Sequence, residues 1–239
     1  MRRQFVQRKI DFPHTMWISQ HTIRFAFREE ISQENFLAVQ QFNRFLKKHL
    51  QQNLIESVAS YHTVTAYLKQ TKHSIDINFL QKQWLIMQVA TKDNEVISRK
   101  LQIPICYDEE FALDMNCVMN YTGLSFEDIK KIHMSKSYSV YLIGFLPGFP
   151  YLGDLDKALF VPRLRKPRGS VSASSVGIGG LQTGIYPLDS PGGWNIIGKT
   201  PLNLFDIHGK EIFIFSLGDQ VQFYEITKQE FYEIKSKGV

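Results

Sequence analysis

The chain has 239 residues, 44% of them hydrophobic and 21% charged, with a formal net charge of +5. That length holds one large domain or two of ordinary size, and the apolar share supplies a real core, which excludes a disordered or fibrous chain. Lys and Arg are interspersed with Gln, Asp and Glu, so the basic balance reads as a solvated surface, with neither nucleic acid nor membrane expected as a partner.

The opening stretch "MRRQFVQRKIDF" is basic, but no apolar run follows it, so no signal peptide is expected. "TIRFAF" places Ile23, Phe25 and Phe27 on one face, the period of a strand. Ser32 is placed to cap a helix running to about Leu50, with Phe36, Val39, Phe42 and Leu46 near helical spacing. "LIESVAS" and "TVTAYL" read as strands flanking Tyr61-His62, and a second helix from Ile75 to Ala90 is expected to bury Phe79, Leu80, Trp84 and Met87. Strands, helix, strand pair and helix in that order suit helices packed on an antiparallel sheet.

"KLQIPICY" follows as a strand, and a helical stretch spans about residues 110 to 121. Thr122-Gly123 breaks it, and Ser125 with Asp128 resembles a capping box opening a short helix to about His133. "SYSVYLIGF" alternates as a strand. From there the composition changes: before residue 144 the chain has only Gly123, whereas from Gly144 to Gly209 glycines come every few residues, with most of the prolines. "PRG", "IGG", "SPGG", "HGK" and "LGD" are turn signals, and "EIFIFSL" and "VQFYEI" alternate as strands. The fold class is therefore α+β: an N-terminal α/β sandwich over about residues 1–100, then a compact β-barrel or β-sandwich with long ordered loops over about 101–239.

Cys106 and Cys117 match no metal or redox spacing and read as reduced core residues. With no H-E-x-x-H, cysteine cluster or EF-hand string, no metal is expected. No run approaches the ~20 apolar residues of a spanning helix, and a soluble cytoplasmic protein is expected.

Gly193, four residues, then Gly198-Lys199-Thr200 match the P-loop string. A P-loop needs a buried strand leading into a glycine turn and a helix that starts at the Lys-Thr. Here "IYPLDSPGG" precedes, the loop positions are the bulky Trp194, Asn195, Ile196 and Ile197, and Pro201 follows. "WNIIG" is better read as a short strand, so ATP is not expected to be held here through a P-loop.

Several residues remain as candidates for chemistry. "SASSVGIGG" has the serine and glycine content of an amidase nucleophile loop, and equally of ordinary turns. "PRLRKPRG" carries Arg163, Arg165, Lys166 and Arg168, either a solvated loop or an anion clamp. "GFLPGFPYLG" presents Phe145, Phe149 and Tyr151 around Pro147 and Gly148, able to line a pocket, meet a partner or pin a loop. Gln182, Thr183, Tyr186 and Trp194 add polar tips on stiff surroundings, beside Gly192 and Gly193. His133 has two readings, an acid or base near neutral pH and an electrostatic cap at a helix end. The catalytic group itself is unknown at this level.

"YLIGFLPGFPYLGDLDKALFVPRLRKPRGSV" and "SVGIGGLQTGIYPLDSPGGWNIIGKTPLNLFD" closely resemble the family of the 5-oxoprolinase B subunit, allophanate hydrolase subunit 1 and the sporulation-kinase inhibitor KipI. The resemblance runs from about Ile103 to Asp206; the first hundred residues match only in pattern. It implies a cyclophilin-like barrel, a companion cyclophilin-like C component, a lactamase-type A component, and a complex that opens 5-oxoproline to glutamate with ATP. The isolated chain is then expected to be inactive. Within the resemblance, Arg163 and Arg168 are expected to bind an anion, Gln182, Thr183, Tyr186 and Trp194 to line the site, and Pro147, Gly148, Phe149 and Tyr151 to shape its wall. The family often has Arg in place of Lys199, which argues against a P-loop lysine. It usually reads V-P-A-G-S-V where this chain has "VSASSV", so Ser172 and Ser174 stand for Pro and Gly. A serine at a turn position that needs positive φ carries a steric cost. The other readings are an inhibitor docking on a sensor histidine kinase, and an amidase acting on allophanate, for which no Ser-Ser-Lys arrangement is visible.

Overall fold

The computed structural model describes residues 11–90, 98–207 and 212–237, and the chain divides into two compact units, Met1–Ile97 and Ser98–Val239. The basic opening stretch and the "HGK" turn lie outside the described residues.

The first unit is a four-stranded antiparallel sheet in the order β1-β2-β4-β3, built from β1 (His14–Trp17), β2 (Thr22–Ala26), β3 (Leu54–Ser60) and β4 (Thr63–Leu68). Helix α1 (Gln33–His49) starts where Ser32 accepts the Asn35 N–H and ends at Leu50. The Asn35 side chain donates to the carbonyls of Arg28 and Glu30, fixing the chain's entry into the helix. Phe42 lies 4.9 Å from Phe25 and 5.0 Å from Trp84 of α2 (Ile77–Ala90), so the sheet and both helices share one aromatic core. Phe79, expected inside, is half exposed; helical spacing puts Leu80 and Trp84 on the buried face and turns Phe79 away.

In the second unit a seven-stranded sheet runs β12-β9-β10-β7-β6-β13-β5. Its strands are β5 (Lys100–Ile105), β6 (Tyr138–Ile143), β7 (Pro150–Leu152), β9 (Ser175–Gly179), β10 (Gln182–Ile185), β12 (Asn195–Lys199) and β13 (Gln220–Glu225). Cys106 and Lys199 exchange backbone hydrogen bonds at 2.8 and 3.0 Å, joining the end of β5 to the end of β12 and closing the sheet into a barrel. A Cβ on Gly198 would meet the Cys106 carbonyl at 2.8 Å, so this glycine serves the closure. Ile105, Val140, Ile178, Ile185, Val221 and Phe223 fill the interior. A two-stranded ribbon, β8 (Arg168–Val171) with β11 (Ser190–Gly192), accommodates Pro191 outside the main sheet.

Among its described residues this unit carries the α-helices α3 (Met115–Thr122), α4 (Phe126–Met134) and α5 (Lys228–Ser236). α4 opens as expected, with Ser125 accepting the Asp128 N–H. α3 starts later than expected, because turns close Phe111 and Ala112 onto the Asp108 carbonyl, and the Asp114 carboxylate is engaged elsewhere. Over its described residues "EIFIFSL" is not a strand: Phe213 makes an isolated bridge to Phe205, and the Ile214 carbonyl accepts from Arg99. Cys117, expected in the core, is exposed, while Cys106 is buried. Among the described residues no helix is long and apolar enough to cross a membrane.

Candidate functional site

Phe149 is the hub of an aromatic cluster in the barrel. Although "GFLPGFPYLG" suggests that its rings are exposed, Phe149 is buried, and only Phe145 stands out at 62% exposure. Phe149 meets Tyr151, Tyr186 and Trp194 edge-on at 4.9, 5.1 and 5.5 Å. Edge-to-face packing of this kind locks ring orientation. Glycines let the rings approach the sheet: a Cβ on Gly184 would lie 3.0 Å from both Phe149 and Trp194, and one on Gly192 would lie 2.4 Å from the Tyr186 hydroxyl.

These rings wall a cavity of about 340 Å³, with Arg163, Gly192 and Gly193 also lining it. That volume suits a small molecule. The Arg163 guanidinium lies 5.5 Å from the Trp194 ring centre, and among the described residues it has no ion-pair partner. Burial raises the Tyr151 and Tyr186 hydroxyls above the ordinary phenol range, so both are neutral donors at neutral pH. The cup therefore offers aromatic walls, one fixed cation and neutral hydroxyls.

The other candidates lie elsewhere. Pro147 and Gly148 form the turn before Phe149, which Phe149 N–H closes on the Leu146 carbonyl at 3.1 Å; Gly148, at φ 80°, packs against Phe213. Gln182 and Thr183 sit on β10, and Thr183 is fully buried. Arg168 holds Asp114, and is thereby drawn away from the cup.

His133 is fully buried, with Tyr107 Oη at 2.8 Å from Nδ1 and Thr183 Oγ1 at 2.9 Å from Nε2. Thr183 donates its one proton to the Gly177 carbonyl, so Nε2 carries the histidine hydrogen and Nδ1 accepts from Tyr107. Burial pushes its pKa down to about 3, and Phe223 stacks on the ring at 4.6 Å. This is a neutral core histidine, which neither the acid–base nor the cap reading foresaw.

The P-loop residues do not form a phosphate cradle: Lys199 ends a strand, and Ile196 and Ile197 are fully buried. Among the described residues no group of three or more His, Cys, Asp or Glu is placed to hold a metal. Sequence reasoning missed Asp114, whose signal was only an acid ahead of a helix, and the pairing of Lys199 with Ser172 at 3.0 Å.

The family model "Carboxyltransferase domain, subdomain C and D" matches residues 13–215. The chain is 44% identical over 146 residues to the 5-oxoprolinase B subunit of Bacillus subtilis, spanning 61% of either chain. It is 39% identical over 173 residues to the protein of that name from Escherichia coli O157:H7, spanning 72% of this chain and 78% of that one. The solved structure of TTHA0988 superposes with a TM-score of 0.70 at 32% identity, covering 86% of this chain and 40% of that one.

Proposed function

The chain belongs to the family of carboxyltransferase domains, subdomain C and D, and from that premise we propose that it is the B component of an ATP-dependent complex that opens 5-oxoproline to glutamate. The observation that carries this reading is the cup at Phe149, whose rings form an apolar wall with Arg163 fixed at its edge. A five-membered lactam presents a flat, partly apolar ring and a carboxylate. The ring lies against the aromatic wall, and Arg163 takes the carboxylate through its planar fork. Tyr151 and Tyr186 are neutral donors and serve the lactam oxygen as charge develops on it.

The cup lining contains no serine, cysteine, histidine or lysine to attack an amide. The chemistry is therefore completed by other polypeptides: a companion cyclophilin-like C component that covers the cup and a lactamase-type A component. ATP drives the reaction in the assembled complex, in the cytoplasm, where free Cys106 and Cys117 are chemically at home. Half-exposed Phe145, held at φ 69°, projects from the cup's rim as an anchor for the covering polypeptide. The same projection supports the second reading, an inhibitor that docks on a sensor histidine kinase.

The test is a coupled assay of glutamate release from 5-oxoproline and ATP, with this chain alone and with the A and C components added. Activity is expected only in the mixture, and Arg163→Met is expected to raise KM at least tenfold. Turnover by the chain alone, or an unchanged KM in the variant, overturns the reading. Capture of a histidine kinase, with no glutamate release in any mixture, selects the second.

A further inference from the structure

A second cavity, of about 400 Å³, shares no lining residue with the aromatic cup. It lies between the β8–β9 connection, the end of β12 and α5, and its lining includes Ser172, Asp189, Lys199, Asn203, Phe231 and Lys235. Lys199 is the lysine of the G-K-T string. Its ammonium donates to Ser172 Oγ at 3.0 Å, and Ser172 Oγ lies 3.2 Å from Ser175 Oγ.

The Lys–Ser–Ser spacing suggests a nucleophile, but the surroundings exclude one. An acyl-transfer site needs donors aimed at the developing oxyanion. The backbone N–H groups here are engaged: Ala173 with Asp189 Oδ1, Ser174 with the Tyr186 carbonyl, and Ser175 with the Ser172 carbonyl. The remaining donors are side chains, with ammonium, amide and hydroxyl groups among them.

Charge then decides what the cavity takes. Among the described residues neither Lys199 nor Lys235 has an ion-pair partner, although Lys199 is partly withdrawn from water. Lys199 is half-buried, and a cation partly withdrawn from water whose hydrogen-bond partner is a neutral hydroxyl is held better when an anion joins it. Burial first, and then the charge of Lys235, hold the Lys199 ammonium below its ordinary range against the opposing charges of Asp189 and Glu110, and a bound anion adds to that opposing charge. Asp189 is the acid in the lining, and its Oδ1 is occupied by the Ala173 N–H.

We propose that this cavity is a phosphate-binding site, in which Lys199 and Lys235 supply the positive charge and Ser172 and Asn203 supply neutral donors. Lysines act as point charges around a tetrahedral anion, whereas a planar carboxylate is better served by an arginine fork. The volume leaves room for whatever carries the phosphate. The reading is independent of the cup's substrate.

The test is calorimetric titration of the full chain with inorganic phosphate at constant ionic strength set with chloride, with thermal melting of every variant. Saturable binding is expected, at least tenfold weaker in Lys199→Met, several-fold weaker in Lys235→Met and tighter in Asp189→Asn. Non-saturable uptake, or wild-type affinity in both lysine variants, overturns the proposal. Should Lys199→Met fail to fold, unchanged affinity in both Lys235→Met and Asp189→Asn overturns it. ATP competing with phosphate assigns the site to the end of a nucleotide; phosphate binding without competition assigns it to the free anion or a different ester. Displacement by L-glutamate as readily as by phosphate rejects the tetrahedral preference.

Discussion

Arg168 grips Asp114 through both guanidinium nitrogens, at 2.9 and 2.5 Å, while the same carboxylate accepts the Ile196 N–H at 2.7 Å. The Asp114 N–H in turn donates to the Ile196 carbonyl at 2.8 Å. One nearly buried carboxylate thus ties the start of α3 to β12 and to the ribbon strand β8. Breaking a buried pair leaves an uncompensated charge. Arg168→Met is therefore expected to lose about 3 kcal/mol, somewhat less if water reaches the partly exposed guanidinium. Urea unfolding measures it, and a loss below about 1 kcal/mol contradicts the assignment.

Ser174 occupies a left-handed backbone position, φ 66°, which glycine adopts without steric cost. Its hydroxyl donates to the Leu202 carbonyl at 2.8 Å, which offsets part of the strain. Alanine there keeps the strain and loses the bond; glycine loses the bond and the strain together. Ser174→Gly is expected to be about 1 kcal/mol more stable than Ser174→Ala. Equal midpoints in denaturant melts would mean the position is unstrained.

Gly184 is required by its neighbours. A Cβ there would lie 2.8 Å from the Pro150 carbonyl and 3.0 Å from two of the cup's rings. Backbone cannot yield as a flexible side chain does, so Gly184→Ala is expected to destabilise by ~1–3 kcal/mol and to shift the near-ultraviolet signal of Trp194. A variant with wild-type stability and spectrum would show that the rings do not sit on this glycine.

His133 makes stability depend on pH. Its folded pKa of about 3 lies below the 6.5 of an unfolded chain, so over that window the unfolded state binds more protons. Stability from this group is flat above about pH 6.5 and falls as pH drops towards 3, by roughly 1.4 kcal/mol at about pH 5.5. Unfolding free energies at about pH 7.5 and 5.5 are compared for wild type and His133→Asn. The wild type's advantage should shrink by that amount; a constant difference would rule out a neutral buried ring.

Local pattern was enough for the elements that carry their own signals. Ser32, Ser125, the alternation of "TIRFAF" and the breaker at Gly123 state their roles within a few residues, because capping and side-chain periodicity are short-range effects. That Phe149, Tyr151, Tyr186 and Trp194 lie together was legible for a related reason. Bulky aromatics among glycines and prolines have few ways to be buried except against one another.

What the chain alone left open was settled by contacts between residues far apart in sequence. The sequence by itself determined two kinds of structure, an apolar-patterned first part and a glycine-rich second, and argued against a P-loop. Only the tertiary structure decided that Arg168 turns to Asp114 while Arg163 faces the cup, that His133 is sealed in the core, and that Lys199 reaches Ser172. The same side chain in the same local setting can face solvent, a carboxylate or a cavity. Which one it meets depends on the closure of the barrel, made where Cys106 bonds to Lys199 across a glycine that admits no side chain.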